Sequence, residues 1–240
     1  ANSVPSNMLT TCDNDGTNDG ITNFDFTTLN ATILGAQTGA EFTVTYHTSF
    51  ADATAGVNSV TTSTTKTIYV RVSNTLTPNC FDIKVIQVRV NKIPEPTPQS
   101  GTMCFDSTNN LLLNPYTISS GLSATNYSFQ WVNEDGIVVG SASTYRAILP
   151  GVYSVIATDL VTGCASEPTP ATVISSEPAI VSYTVSENFD DNQVITINAV
   201  GVGGDYEYQL DFGPFQDSPT FENVSSGVHT ITVRDKNGCG

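Results

Sequence analysis

The sequence predicts an all-β protein of three consecutive antiparallel β-sandwich modules, the last lacking its closing strand. Three observations carry this. The composition favours strands: 34 Thr, 23 Ser and 20 Asn make up about a third of the 240 residues, while charged residues make up 13%. Val, Ile, Thr and Tyr are plentiful and suit a pleated, half-buried surface. Apolar residues alternate with period two in many short stretches, and one strand–turn–cysteine ending recurs three times. A hydrophobic fraction of 39% is enough to build cores.

In chain order, half-buried strands are expected at Glu41–His47, Thr67–Val72, Lys84–Val90, Tyr127–Trp131 and Tyr206–Leu210. Turn signals separate them at Glu134-Asp135-Gly136, Leu149-Pro150-Gly151, Gly213-Pro214 and Lys236-Asn237-Gly238. Helical periodicity is nearly absent; the best candidate is Thr27 to Leu34, at most two turns.

The repeat reads as a turn glycine, an alternating strand, an Asp that starts the next turn, then Gly-Cys. It runs from Gly151 to Asp159 and on to Gly163-Cys164, and again from Gly227 to Asp235 and on to Gly238-Cys239. A looser copy runs from Thr67 to Asn74 and on to Asn79-Cys80. Cys80, Cys164 and Cys239 therefore occupy equivalent places, each just past the penultimate strand of a module. Ile93-Pro94-Glu95-Pro96-Thr97-Pro98 reads as a semi-rigid linker, and Ser175-Ser176-Glu177-Pro178 as a shorter one. The predicted modules are residues 1–93, 94–176 and 177–240. The third holds no equivalent of the strand that follows Cys80 and Cys164, which predicts an edge at Val228–Arg234 that residues downstream of Gly240 fill in a longer parent chain and that is otherwise free or covered by a neighbouring chain.

The five cysteines are Cys12, Cys80, Cys104, Cys164 and Cys239. Pairing within modules gives Cys12–Cys80 and Cys104–Cys164, with Cys239 unpaired; free buried thiols are the alternative. Disulfides imply an oxidising, exported location. No CxxC spacing points to metal ligation.

A formal net charge of −15 repels phosphate backbones and anionic membranes, which argues against nucleic-acid binding. No run of 18 apolar residues is present. The chain opens at Ala1 with no charged and apolar leader, so a signal peptide is expected to have been removed or to lie upstream. Nucleophile chemistry finds little material in two histidines, His47 and His229, and no GxSxG, HExxH or phosphate loop occurs. The chain is therefore read as a non-enzyme. The sharpest local motif is Cys12-Asp13-Asn14-Asp15-Gly16-Thr17-Asn18-Asp19-Gly20, with Asp25 beyond. Closely spaced carboxylates around glycines suit Ca²⁺, a hard ion that takes several oxygen ligands, so Asp13, Asp15, Asp19 and Asp25 are candidate calcium ligands. A water-solvated acidic loop is the alternative. Asp190-Asp191-Asn192 and Asp217 read as loop solvation. Trp131 reads as a core residue, with a sugar-stacking platform as the alternative.

These residues resemble a family. Cys12-Asp13-Asn14-Asp15-Gly16, Phe24-Asp25-Phe26-Thr27, Val44–Ser49 and Ile68–Val72 resemble repeats of very large surface proteins of Bacteroidota. Gly121–Tyr127 with Phe129-Gln130-Trp131 looks like their polycystic-kidney-type or Ig-like modules. Gly203–Leu210, Gly213–Gln216 and Val233–Cys239 are similar to the SprB-type repeat. The resemblance implies a gliding-motility or adhesion protein exported by type IX secretion, with a type B sorting domain downstream, and assigns no catalytic residues. The expected function is a structural and adhesive stalk, extracellular and at the cell surface, associated with the outer membrane through the parent protein. Its expected partners are neighbouring modules, the sorting domain, and surface polysaccharide or substratum. The rival is a carbohydrate-binding or accessory module of a secreted enzyme; exposed aromatics clustered on one sheet face would favour it.

Overall fold

The alternating stretches form strands in the computed structural model of the chain, which describes residues 9–64, 66–186 and 193–240. The chain divides into two compact units, residues 1–95 with 158–166, and residues 96–157 with 167–240. Among the described residues one apolar core lies in the first unit and two lie in the second.

The first unit contains β1 (Thr10–Cys12), β2 (Phe24–Asp25), a 3-10 turn (Phe26–Leu29), α1 (Asn30–Leu34), β3 (Phe42–His47), α2 (Phe50–Ala55), β4 (Thr62–Ser63), β5 (Thr67–Asn74), β6 (Phe81–Gln87) and β7 (Arg89–Asn91). The central sheet has the order β3-β5-β6, all antiparallel. Ile68, Val70 and Val72 alternate inward from β5 and meet Phe26, Leu29 and Ile33 from the helical segment. The predicted strand Lys84–Val90 breaks at Val88, whose N–H turns to Lys66 O. Beyond the break the chain leaves β5 and pairs with β1 in parallel, Thr10 opposite Arg89. Helix α2 was not expected. Its signal was present in Ser49-Phe50-Ala51-Asp52: Ser49 Oγ accepts from Asp52 N–H at 3.1 Å, and Gly56 closes the helix.

Arg71 holds that helix to the sheet. Although cationic, it is buried. Its guanidinium donates to Ala53 O (2.9 Å), Thr54 O (2.8 Å) and Pro78 O (2.6 Å), and lies 3.8 Å over the Phe81 ring. The carbonyls at the end of a helix carry partial negative charge, so a cation there is favoured.

The second unit holds two sandwiches. The first comprises β8 (Gly101–Asp106), β9 (Leu111–Asn114), β10 (Tyr116–Ser119), β11 (Tyr127–Asn133), β12 (Val138–Gly140), β13 (Thr144–Ala147), β14 (Gly151–Asp159) and β15 (Thr169–Ser176). A six-stranded sheet, β12-β11-β14-β15-β8-β9, accompanies the β10-β13 pair. Trp131, Ile118, Val155, Val173 and Met103 fill the core. The second sandwich comprises β16 (Ile180–Val185), β17 (Gln193–Val200), β18 (Tyr206–Leu210), β19 (Thr220–Val224) and β20 (Ile231–Asp235), in sheets β16-β17-β19 and β18-β20. Its buried core is smaller: Ile195, Ile197, Tyr208 and Val224.

Two strand pairs of the sandwiches correspond. The pair β10-β13 matches β17-β19, and β11-β14 matches β18-β20. Tyr153 and His229 hold equivalent positions: Tyr153 Oη donates to Leu149 O at 2.8 Å, and His229 Nε2 lies 2.9 Å from Ser225 O, each four residues back. Gly151 and Gly227 share φ +154°, a conformation only glycine adopts without strain. Against β15 in the first sandwich there is no counterpart among the described residues of the second. One expectation is corrected. The sheets are not wholly antiparallel, because β1 runs parallel to β7, and β8 to β15. A strand that opens a module can return beside its last strand only after a long connection, which permits parallel pairing.

Replacing Arg71 by Met should leave three carbonyls without their donor and lower the stability of the first unit by on the order of 3 kcal/mol in urea unfolding. An R71M protein as stable as its parent would show that the arginine does not hold α2.

Candidate functional site

The most distinctive feature is the covalent one. The bridges are Cys12–Cys164 and Cys104–Cys239, with sequence separations of 152 and 135, and Cys80 is free and exposed. This corrects the pairing expected from the sequence. Cys12 does not pair with Cys80, Cys104 does not pair with Cys164, and Cys239 is bonded. Each bridge joins a cysteine at the start of one repeat to the cysteine that ends the next repeat. The first bridge lies in the first unit, because residues 158–166 group with it, and the second lies in the second unit.

Both bonded turns are built alike. Asp159 Oδ1 accepts from Val161 N–H (2.9 Å) and Thr162 N–H (2.7 Å), and Gly163 N–H donates to Asp159 O (2.9 Å). Asp235 Oδ1 accepts from Asn237 N–H (3.1 Å), and Gly238 N–H donates to Asp235 O (2.9 Å). Short side chains that bond their own backbone two residues on fix such turns locally. Asn74 does the same before Cys80, through Leu76 N–H and Thr77 N–H at 3.0 Å each.

Around Cys239 the turn has become a buried polar site. Asp235 is buried and accepts from Ser176 Oγ (2.5 Å), Asp205 N–H (3.0 Å) and Cys239 N–H (3.3 Å) as well as Asn237 N–H. Burial pushes its carboxyl pKa up, but these donors outweigh burial and hold it below the ordinary carboxylate value. Tyr206 Oη donates to Glu177 O at 2.9 Å. Gly203, at φ +69°, lies against Ser175, where a Cβ would come within 2.2 Å of the carbonyl oxygen. The site therefore fastens the start of the second sandwich's polar loops to the Ser175–Glu177 segment.

The four candidate calcium ligands are not gathered into one cage. Asp15 caps its own turn through Thr17 Oγ1 (2.7 Å) and Thr17 N–H (3.0 Å), which hold its carboxyl below its ordinary pKa. Asp19 accepts from Ile21 N–H at 2.8 Å. Asp25 caps the 3-10 turn through Thr27 Oγ1 (2.7 Å) and N–H (2.9 Å), with the same effect on its pKa. Asp13 alone is buried; Oδ2 accepts from Gly20 N–H, and Oδ1 has no partner among the described residues. Among the described residues no three His, Cys, Asp or Glu side chains are placed to share a metal ion. The loop is pinned instead by Asn18, which sequence reasoning passed over. Its Nδ2 donates to Ile93 O (3.1 Å) and Glu95 Oε1 (2.7 Å), and its Oδ1 accepts from Ile93 N–H (2.9 Å).

The remaining candidates serve the fold. His47 is buried between Thr45 Oγ1 (2.9 Å from Nε2) and Val57 O (2.8 Å from Nδ1). His229 faces Asp211 at 2.9 Å, and that carboxylate raises its pKa. Trp131 is buried, stacks on Tyr145, and donates from Nε1 to Ala142 O at 2.9 Å. Asp217 pairs with Lys236 at 2.6 Å on the surface. Asp190, Asp191 and Asn192 lie outside the described residues.

Residues 7–94 match the family model described as FIDD, the Flavobacterium inter-domain disulphide bond domain. No curated protein matches the chain. Among solved structures, Sidekick-1 immunoglobulin domains 1-5 are 15% identical, over 82% of this chain and 54% of that one, at a TM-score of 0.30. The N-terminal four Ig domains of Dscam1 isoform 1.9 are 13% identical at a TM-score of 0.24, over 72% of this chain; the chain spans 51% of that structure's length. A Bacteroides ovatus mixed-linkage glucan utilization locus protein, SGBP-B, in complex with a mixed-linkage heptasaccharide, is 12% identical over 95% of this chain and 60% of that one, at a TM-score of 0.19. At these TM-scores the likenesses carry no functional argument.

Asp235 makes the second unit acid-sensitive. Its folded pKa is depressed, so its contribution is present above the unfolded carboxylate value, near pH 4, and is lost as pH falls through the folded value. Replacing Asp235 by Asn should cost on the order of 3 kcal/mol at pH 7 and flatten that acid limb in calorimetric melts. Parallel pH profiles for parent and variant would rule out this role for Asp235.

Proposed function

We propose that this chain is a non-catalytic stretch of an exported bacterial surface protein, a cystine-clamped stalk serving attachment or gliding motility. The observation that carries the reading is the pair of bridges, each joining one sequence repeat to the next rather than closing a module on itself. That pattern agrees with the inter-domain bond in the description of the family matched by residues 7–94. Disulfides persist in oxidising, exported compartments. No helix among the described residues is long and apolar enough to cross a membrane. The aromatics support a spacer over a sugar platform: Trp131, Phe26, Tyr46, Tyr153 and Tyr208 are buried, and the exposed Phe50, Phe81 and Tyr183 sit on α2, β6 and β16, with Phe212 in the turn after β18. Type IX export and a downstream sorting domain complete the proposal; the sequence resemblance supports them.

The clamp has a mechanical consequence. In a chain pulled from its two ends, force runs through the bridges and spares most of the backbone. Fully stretched, the oxidised chain should reach roughly 250 Å and the reduced chain roughly 840 Å, at about 3.5 Å per residue. Single-molecule pulling with and without a reductant measures this. Equal extensions in both states would defeat the clamp, and strong binding to a glycan array would favour the rival reading.

Calcium at Asp13 is a further proposal of ours, supported by its buried, unpaired Oδ1. Leaving a buried acceptor unmet costs on the order of 1–3 kcal/mol. Chelation should lower the melting temperature of the first unit; unchanged melting would remove calcium from the account.

A further inference from the structure

We infer that His229 is a charged latch in the smaller sandwich: its imidazolium ties the turn after β18 to the loop after β19, and deprotonation frees one of the two ties. What faces the ring decides its charge. Nδ1 lies 2.9 Å from Asp211 Oδ2, and Nε2 lies 2.9 Å from Ser225 O. A carbonyl oxygen only accepts, and so does an ionised carboxylate, so both contacts need a proton on the ring. A neutral imidazole has one N–H and would leave one of these acceptors facing a lone pair. His47 is the contrast. Its Nδ1 faces Val57 O, but its Nε2 faces Thr45 Oγ1, a hydroxyl that can donate, so a neutral ring satisfies both contacts.

The repeat shows what the histidine adds. Tyr153, at the equivalent place in the larger sandwich, makes the same bond to the carbonyl four residues back, and makes it with β15 paired alongside. The tie to Ser225 therefore does not depend on what lies beside the strand. A hydroxyl donates one hydrogen bond, whereas an imidazolium donates two. The second goes to a carboxylate that is itself held in place. Asp211, at φ +51°, donates its N–H to Thr230 O at 2.7 Å, and its Oδ1 accepts from Thr230 N–H at 2.9 Å. Asp is one of the few residues besides glycine that take this left-handed backbone readily.

The bond to Asp211, then that to Ser225 O, raises the pKa of the ring against the effect of burial, and the same bond to His229 lowers that of Asp211. Among the described residues, the titratable groups that face His229 are Asp211 and, across a groove, Tyr183 of β16; the other residues of β16, β17 and β20 around that groove are uncharged. A group whose folded pKa is raised contributes stability that is complete below its unfolded value, about 6.5 for histidine, and is lost as pH rises through the folded value. The smaller sandwich therefore weakens on the alkaline side through His229, as it weakens on the acid side through Asp235.

An NMR titration of the imidazole nitrogens reads the latch directly. It uses the full oxidised chain with Cys80 alkylated, so that the bridges do not exchange as pH rises. At about pH 7, where an unperturbed histidine is mostly neutral, His229 should carry a proton on both nitrogens. Its midpoint should lie above that of the same histidine in an unfolded peptide. Asp211→Asn keeps an acceptor for Thr230 N–H and turns a donor toward Nδ1, so a neutral ring then suits the site and the midpoint should fall. His229→Tyr restores the residue of the larger sandwich. It should keep the tie to Ser225 O and abolish the fall in melting temperature that the parent's second unit shows as pH rises above about 6.5. A midpoint at or below that of the unfolded peptide, or a single protonated nitrogen at about pH 7, would overturn the inference. So would parallel alkaline melting profiles for the parent and both variants.

Discussion

The organisation of this chain depends on one local device, the turn after the penultimate strand of each repeat. An Asp or Asn at the strand's end accepts from the backbone N–H two residues ahead, and a cysteine is delivered a few residues later. Because the device is local, it forms the same way in all three repeats, whatever the module around it. Cys164 and Cys239 meet partners that open a strand ladder, Cys12 at the end of β1 and Cys104 within β8. A loop closed by such a bond contributes about 5 kcal/mol in the chain-entropy model at these lengths. That is comparable with the whole net stability of a small domain.

The two bridges work in different surroundings. Cys239 sits beside a buried carboxylate with four donors, so the covalent bond and the polar network constrain the same few residues. A network of this kind stabilises only when every member is satisfied, and Asp235 meets that condition. The smaller sandwich needs it, since four buried side chains make a thin core for a module of its length. The first unit solves the same problem otherwise, with a buried arginine that ends α2 and an asparagine that ties the acidic loop to Ile93 and Glu95.

The strands were legible because their information is local. Period-two alternation marked β3, β5, β11 and β18 to within two residues at each end, and the repeat marked the equivalence of Tyr153 and His229. The bonding of the cysteines was not legible, because equivalence in a repeat states where a cysteine sits and not which neighbour it reaches. Closing each module on itself was the simplest assumption, and the fold does otherwise. The acidic loop is ambiguous for a related reason. Asp15, Asp19 and Asp25 have the spacing of cation ligands and equally the spacing of residues that cap their own turns, and here each caps a turn. His47 is tolerated in a buried position because Val57 O and Thr45 Oγ1 satisfy both ring nitrogens. Helix α2 could have been found from Ser49, Asp52 and Gly56; a two-turn segment in a Thr-rich chain shows too little periodicity to stand out.

The central claim is that the covalent bonds run from repeat to repeat. Digestion of the oxidised chain without reductant, followed by mass spectrometry of the linked peptides, tests it directly. The account predicts Cys12 joined to Cys164, Cys104 joined to Cys239, and Cys80 alkylated as a free thiol. Recovery of Cys12 joined to Cys80, or of Cys104 joined to Cys164, would contradict it.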